Sequence, residues 1–250
     1  MLYTLEDLRG YDIHARDGQI GTVEDFLFDD ATWTIRYLVV DTGPWLFGRE
    51  VLVSPQAAGK PVWEAGVLPV NLTKEQVETS PDIELDKPVS RQKQEALNAH
   101  YAWNNYWTTL PTATRFGRFG MTPPATAVAE GEEARETLSG DPHLRSADEV
   151  TGYDIRALDG EIGHVDDFIV DHEAWVIRYM IINTRDWLPG RDVLIALASI
   201  GEINWERAEV QVNLNKQDIK ESPEYNPEKP LSRDYETRLR EHYGMKSYWV

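Results

Sequence analysis

The sequence predicts a mainly β protein: two small antiparallel β-barrels, each followed by a C-terminal helix. Three observations predict it. A long stretch of chain occurs twice. Each copy is built from short runs of β-branched and aromatic residues between turn signals. Each copy then ends in one stretch with helical periodicity.

The repeat comes first because it fixes the number of elements. Gly10-Tyr-Asp-Ile-His-Ala-Arg-Asp-Gly-Gln-Ile-Gly21 recurs as Gly152-Tyr-Asp-Ile-Arg-Ala-Leu-Asp-Gly-Glu-Ile-Gly163, an offset of 142 residues. The same offset aligns Trp33–Tyr37 with Trp175–Tyr179, Gly48-Arg49 with Gly190-Arg191, His100-Tyr101 with His242-Tyr243, and Tyr106-Trp107 with Tyr248-Trp249. Solenoid repeats have periods of roughly 20–50 residues, so each copy here is long enough to be a domain. The expected organisation is a first barrel over 1–80, a Pro-rich segment and helix over 81–107, a flexible linker over 108–142, a second barrel over 143–222, and a Pro-rich segment and helix over 223–250. The linker repeats nothing and is rich in Pro, Gly, Thr and Ala.

Within the second copy, Gly152 to Ala157 alternates like a strand, and Asp159-Gly160 is a hairpin turn signal. Glu161 to Asp171 continues the alternation, which places Ile162, His164, Asp166, Phe168 and Val170 on one face. After a turn, Trp175 to Thr184 reads as a buried strand. Asp192 to Leu197 and Glu209 to Leu214 complete the set. Lys216 to Glu221 is a short helix stopped at Ser222-Pro223. Ser232 caps a helix from Arg233 to Tyr243, whose apolar stripe is Tyr235, Leu239 and Tyr243 and whose end is Gly244. In the first copy Ser90 to Tyr101 is the equivalent helix, with Trp103 as its continuation.

Composition narrows the function. The chain has 250 residues, 41% of them apolar, and a formal net charge of −18, of which each copy carries −8 and the linker −2. Nucleic-acid phosphates reward clustered Lys and Arg, so an acidic chain without a basic arm argues against that partner. There is no cysteine, which excludes thiolate metal sites, Cys nucleophiles and disulfides. The first residues lack a signal-peptide pattern and no apolar run reaches membrane-span length. The expectation is a cytoplasmic protein with no membrane insertion.

The motifs Gly-Tyr-Asp-Ile…Asp-Gly-Glu-Ile-Gly-His-Val-Asp-Asp-Phe (152–168), Trp-Val-Ile-Arg-Tyr (175–179) and Val-Leu-Ile (193–195), with their partners at 10–26, 33–37 and 51–53, resemble the PRC-barrel superfamily. The resemblance covers roughly 2–80 and 144–222 and is strongest to bacterial tandem double PRC-barrel proteins. The superfamily includes the cytoplasmic domain of the photosynthetic reaction-centre H subunit and the C-terminal domain of a ribosome maturation factor. It therefore implies docking onto larger assemblies and no shared catalytic motif.

No nucleophile-elbow, P-loop, dinucleotide-binding or zincin pattern occurs, so no catalytic residues and no cofactor are assigned. The leading reading is a non-catalytic adaptor or scaffold whose modules pair within the chain and bind a protein partner. Loop and helix-end aromatics carry that reading: Trp45, Trp187, Tyr101, Trp107, Tyr243, Tyr248 and Trp249. The helix-end aromatics are expected to bury partly against the opposite module, with homo-oligomerisation as a further outcome. The alternative is a small-ligand or metal-ion-binding protein using an inter-module groove or the acidic strand. Its weak metal candidates are His164, Asp166, Asp171 and His172, weighed against a solvated acidic strand. A role accessory to photosynthetic electron transfer follows from the resemblance alone. For His100/His242 the favoured role is packing at a helix seam, and for Arg36/Arg178 and Arg49/Arg191 it is structural ion pairing.

Overall fold

A computed structural model describes residues 2–83, 89–109, 141, 143–184, 191–227 and 229–249. The first copy contributes β1 (Leu2–Thr4), α1 (Leu5–Leu8), β2 (Asp12–Ala15), β3 (Gly18–Asp29), β4 (Thr34–Asp41), β5 (Glu50–Val53), β6 (Val67–Pro69), α2 (Lys74–Glu78) and α3 (Arg91–Tyr101). The second contributes β7 (Leu144–Ser146), α4 (Ala147–Val150), β8 (Asp154–Ala157), β9 (Gly160–Asp171), β10 (Val176–Asn183), β11 (Asp192–Ala196), β12 (Ile200–Asn204), β13 (Glu209–Val212), α5 (Lys216–Lys220) and α6 (Arg233–His242). Most of the linker, 110–140 and 142, lies outside the described residues, and so does Trp187.

The protein is mainly β, but two separate antiparallel barrels are not found. The strands belong to one mixed sheet that is not closed, ordered β12-β13-β8-β9-β10-β4-β3-β2-β6 along its main path. Among the described residues, β13 on β8 and β6 on β2 are parallel pairings. Hairpins dictate antiparallel neighbours, but these two strands return from distant chain and enter beside β8 and β2 in the same direction.

The chain forms two compact units. Unit 1 comprises Met1–Gly10, Glu24–Leu38 and Arg145–Val250; unit 2 comprises Tyr11–Val23 and Val39–Leu144. In unit 1, β1 pairs with β9, matching Leu2 to Asp171 and Thr4 to Ile169. The turn before β4 also meets β10 there. Ile35 N donates to Trp175 O and Ile177 N donates to Trp33 O, each at 2.8 Å. These two bonds exchange equivalent residues of the two copies, the reciprocity expected of an isologous contact. Both tryptophans hold a left-handed backbone, with φ 54° at Trp33 and 52° at Trp175. Phe28 stacks on Trp33 at 5.2 Å and meets Phe168 at 5.9 Å.

In unit 2, β2 pairs with β3 from Ala15↔Gly18 to Asp12↔Thr22. A glycine is required where β3 crosses the end of β4: a Cβ on Gly21 would lie 2.1 Å from Asp41 O, and one on Gly163 would lie 2.0 Å from Asn183 O in the equivalent place. The glycines at this offset are thus backbone-approach residues.

The terminal helices form as their caps predict. Ser90 Oγ accepts from Lys93 N and Ser232 Oγ from Tyr235 N. Trp103 does not continue α3. Ala102 takes a left-handed conformation, φ 55°, and ends the helix where Gly244 stands in the second copy, φ 66°. Tyr235, Leu239 and Tyr243 pack on a core of Ile169, Tyr179, Ile181, Leu194 and Tyr225.

Candidate interaction surfaces

The acidic strand is built for structure. His164 and Asp166 do not follow the alternation expected of them, because β9 carries a bulge: Ile182 pairs with Val165 and Ile181 with Asp167, leaving Asp166 unmatched. Asp171 accepts from Arg178 at 3.2 Å and from Glu173 N, so it closes a turn. His172 meets Tyr3 edge-on at 5.4 Å. Among the described residues no group of three or more His, Cys, Asp or Glu could hold a metal ion.

The repeated arginines and histidines have local partners too. Arg36 pairs with Asp29 at 3.0 Å, matching Arg178 and Asp171. Arg49 donates to Ser80 O at 2.7 Å and Pro81 O at 2.9 Å, and Arg191 to Lys220 O at 2.7 Å and to Ser222 O. These guanidinium groups satisfy carbonyls freed where Ser-Pro stops α2 and α5. His100 Nε2 bonds Gln76 O at 2.7 Å and His242 Nε2 bonds Asp218 O at 2.6 Å, tying each long helix to the short one before it.

Two carboxylates of the acidic strands, whose role the sequence did not reveal, join the copies within unit 1. Asp25 accepts Ser146 Oγ at 2.5 Å and Asp148 N at 3.1 Å, holding the start of α4. Asp167, its counterpart, accepts Glu6 N at 3.1 Å at the start of α1. Burial raises both, Asp167 to about 6, despite these donors and the nearby Arg9. Their equivalence under the offset of 142 was the available signal.

The helix-end aromatics fold onto their own copies. Tyr101 is buried and stacks on Trp103 at 4.2 Å. Tyr243 donates to Leu194 O at 3.4 Å. Tyr248 donates to the carboxylate of Glu236, 1% exposed, at 2.8 Å, joined by Tyr179 at 3.0 Å and Arg233 at 2.9 Å. The Arg178 guanidinium lies 4.0 Å from the Tyr248 ring and that of Arg233 lies 4.3 Å from the Trp249 ring. In the first copy Tyr106 donates to Gln94 at 3.0 Å, and Arg91 lies 5.7 Å from the Trp107 ring. The physical reason is local: each Tyr-Trp lies close enough in sequence to its own helix to reach that helix's arginine.

Trp45 belongs to a different surface, in unit 2. Gly43–Leu46 forms one 3-10 turn, and Phe47 after it takes φ 57° and is 99% exposed. Trp45 lies under Lys74 Nζ at 5.0 Å. It helps line a groove of about 430 Å³ with Gly21, Thr22, Asp41 and Pro44. The sequence reading selected Trp45 and missed Phe47, whose exposure depends on the backbone of the turn.

No helix among the described residues is long and apolar enough to cross a membrane. A segment of the chain is 40% identical over 74 residues to an uncharacterized protein of Deinococcus radiodurans, an alignment covering 30% of this chain and 26% of that protein. The aligned part thus spans about a quarter of that relative's length. Residues 1–79 match the family model of the PRC-barrel domain.

Proposed function

We propose that this protein is a non-catalytic adaptor that binds a protein partner through the loop around Trp45 and Phe47. One observation carries the reading: Phe47 is wholly exposed at the tip of an ordered turn, next to a groove walled by Trp45. A bulky residue in the left-handed region costs about 1–2 kcal/mol of backbone strain. An exposed phenyl ring returns none of that through core packing. An aromatic anchor beside a partly apolar groove is the pattern of a binding hot spot. The match of residues 1–79 to a PRC-barrel domain is compatible with this role.

The test is comparative capture from the native cell, using the full chain against its Phe47→Ser and Trp45→Ala variants. Phe47→Ser leaves stability within about 0.5 kcal/mol, as for surface substitutions in general, and abolishes recovery of the partner. Identical recovery by wild type and both variants removes the loop from the function.

A further inference from the structure

The first copy lends its first residues to unit 1. Met1–Gly10 belongs to that unit, and the chain passes to unit 2 at Tyr11. Within this arm, β1 covers one edge of β9 at Ile169–Asp171 while β10 pairs with the other. Leu2 packs on the core around Ile169, and Leu5 and Leu8 are buried. The arm closes on itself through a capping box, in which Thr4 Oγ1 accepts from Asp7 N and the Asp7 carboxylate accepts from Thr4 N. Gly10 follows with φ 76° and nothing within 4 Å of the place a Cβ would take, so no neighbour obstructs a pivot there.

The carboxylates at the two helix starts are the same residue of the repeat, but they are held unequally. Asp25 accepts a hydroxyl and an amide and pairs with Arg9 at 3.4 Å. Asp167 accepts from Glu6 N at 3.1 Å and makes no ion pair among the described residues. In the second copy the position of Arg9 is held by Thr151. Arg9 is shared by Asp25, Asp148 and Glu6, at 3.4, 3.3 and 3.7 Å.

The other groups around Asp167 supply no second cation. Glu6 and Arg9 act on it from the arm, in opposite senses. Tyr225, before α6, lies in the field of Asp167 itself and of Asp7, Asp192 and Asp166. A largely buried carboxyl whose nearest cation is committed elsewhere favours its protonated form. In keeping with that geometry, burial pushes the Asp167 pKa up to about 6. His172 is a further titratable group facing the arm, edge-on to Tyr3 at 5.4 Å.

We propose that the arm is a proton-sensitive clasp, which holds β9 most firmly while the Asp167 carboxyl carries its proton and loosens when that proton leaves. The sense follows from linkage. Asp167 binds the proton more tightly with the arm docked than with the arm released into water. The docking it supports is therefore complete below about pH 4 and is lost as pH rises through about 6. Release uncovers the edge of β9 at Ile169–Asp171 and leaves an unpaired strand edge. The start of α4 stays in place, because Asp25 keeps its own arginine. The clasp stands apart from the loop around Phe47 and does not depend on the adaptor reading.

Amide hydrogen exchange of the full chain, from pH 4 to pH 8 and corrected for the intrinsic rate at each pH, reads the clasp. The opening equilibrium of residues 2–9 is expected to rise about fiftyfold between pH 4 and pH 7. A smaller rise is expected at 145–150, and the amides of β10 stay protected. Asp167→Asn keeps an acceptor for Glu6 N and holds the arm at its acid-level protection throughout. Thr151→Arg gives Asp167 the arginine that Asp25 has in Arg9, and flattens the profile by stabilising the ionised form. His172→Gln keeps the wild-type profile. The proposal is overturned by an arm whose protection ignores pH, by a wild-type profile in Asp167→Asn, or by loss of the profile in His172→Gln. It is equally overturned by an equal rise at 145–150, or by an arm that exchanges in step with β10, which is global unfolding.

Discussion

The corner that anchors Tyr248 in unit 1 and the corner that anchors Tyr106 in unit 2 solve one problem with different chemistry. In unit 1 a single carboxylate, Glu236 on α6, accepts from two tyrosines and an arginine. In unit 2 the equivalent helix position is Gln94, and the negative charge comes from Asp141, which precedes the second copy. Asp141 is 3% exposed, accepts from Tyr106 at 3.1 Å and from Gln94 at 3.3 Å, and pairs with Arg91 at 3.4 Å. The difference teaches that a duplicated scaffold preserves the need for an acceptor at that corner without preserving which residue supplies it. A buried phenol and a guanidinium both require an acceptor, so losing the carboxylate from the helix is tolerable once Asp141 replaces it.

That comparison predicts unequal costs. Glu236→Ala leaves two tyrosine hydroxyls and Arg233 without their shared acceptor, and is expected to destabilise by about 3–4 kcal/mol. Gln94→Ala leaves Asp141 in place to accept from Tyr106 and Arg91, and is expected to cost about 1–2 kcal/mol. Denaturant melts of the two variants measure the gap, and equal losses would show that Asp141 does not substitute for the missing carboxylate.

The two capping carboxylates sharpen the comparison through pH. Asp25 accepts a serine hydroxyl and a backbone amide, and Arg9 lies at 3.4 Å. At the equivalent of Ser146 stands Thr4, whose hydroxyl oxygen accepts from Asp7 N as Ser146 Oγ does from Glu149 N, so the added donation to Asp25 is what distinguishes Ser146. Asp167 is raised to about 6, above the ordinary carboxylate value near 4. A raised pKa means the folded state binds the proton more tightly than the unfolded state. The associated stability is therefore complete below about pH 4 and is lost as pH rises through about 6. Asp167→Asn mimics the protonated form and keeps an acceptor for Glu6 N. The variant should melt a few degrees above wild type at pH 7, and the difference should shrink to nothing as pH falls to about 4. A difference that stays constant with pH would place the titrating group elsewhere.

The smallest expected effect lies at the helix ends. Ala102 and Gly244 hold the same left-handed conformation, but only glycine does so without steric cost. Ala102→Gly should stabilise the protein by about 0.5–1 kcal/mol, and a loss of stability would show that the alanine methyl group makes compensating contacts.

Much of the secondary structure is legible in the sequence. β9, β10, β11, α5 and α6 lie within a residue or two of the segments read from alternation, turn residues and caps, and Ser90 and Ser232 cap as expected. Those signals are local: a strand's period, a hairpin's Asp-Gly and a helix's N-cap depend on neighbours a few residues away. The elements that escaped are short. β1 and β7 are three residues each, too few for a period to register, and each has its place only through a partner strand far along the chain.

The candidate surfaces divide the same way. The aromatics at the helix ends were identifiable as residue types, but their contacts with Glu236 and with their own arginines required the chain to fold back. The bulge at Asp166 was invisible to alternation, because an unmatched residue is a property of two strands. The exposure of Phe47 is an absence of neighbours, which no local pattern encodes. By itself, the sequence determined that one β-rich sequence pattern occurs twice, where its turns and caps lie, and that the chain is strongly acidic. Tertiary structure alone decided that the strands join one open mixed sheet, that Asp25 and Asp167 hold reciprocal helix starts, and which aromatic side chains remain exposed. The physical reason is that strand partners, desolvation and unpaired polar groups arise from residues distant in sequence, brought together only when the chain is folded.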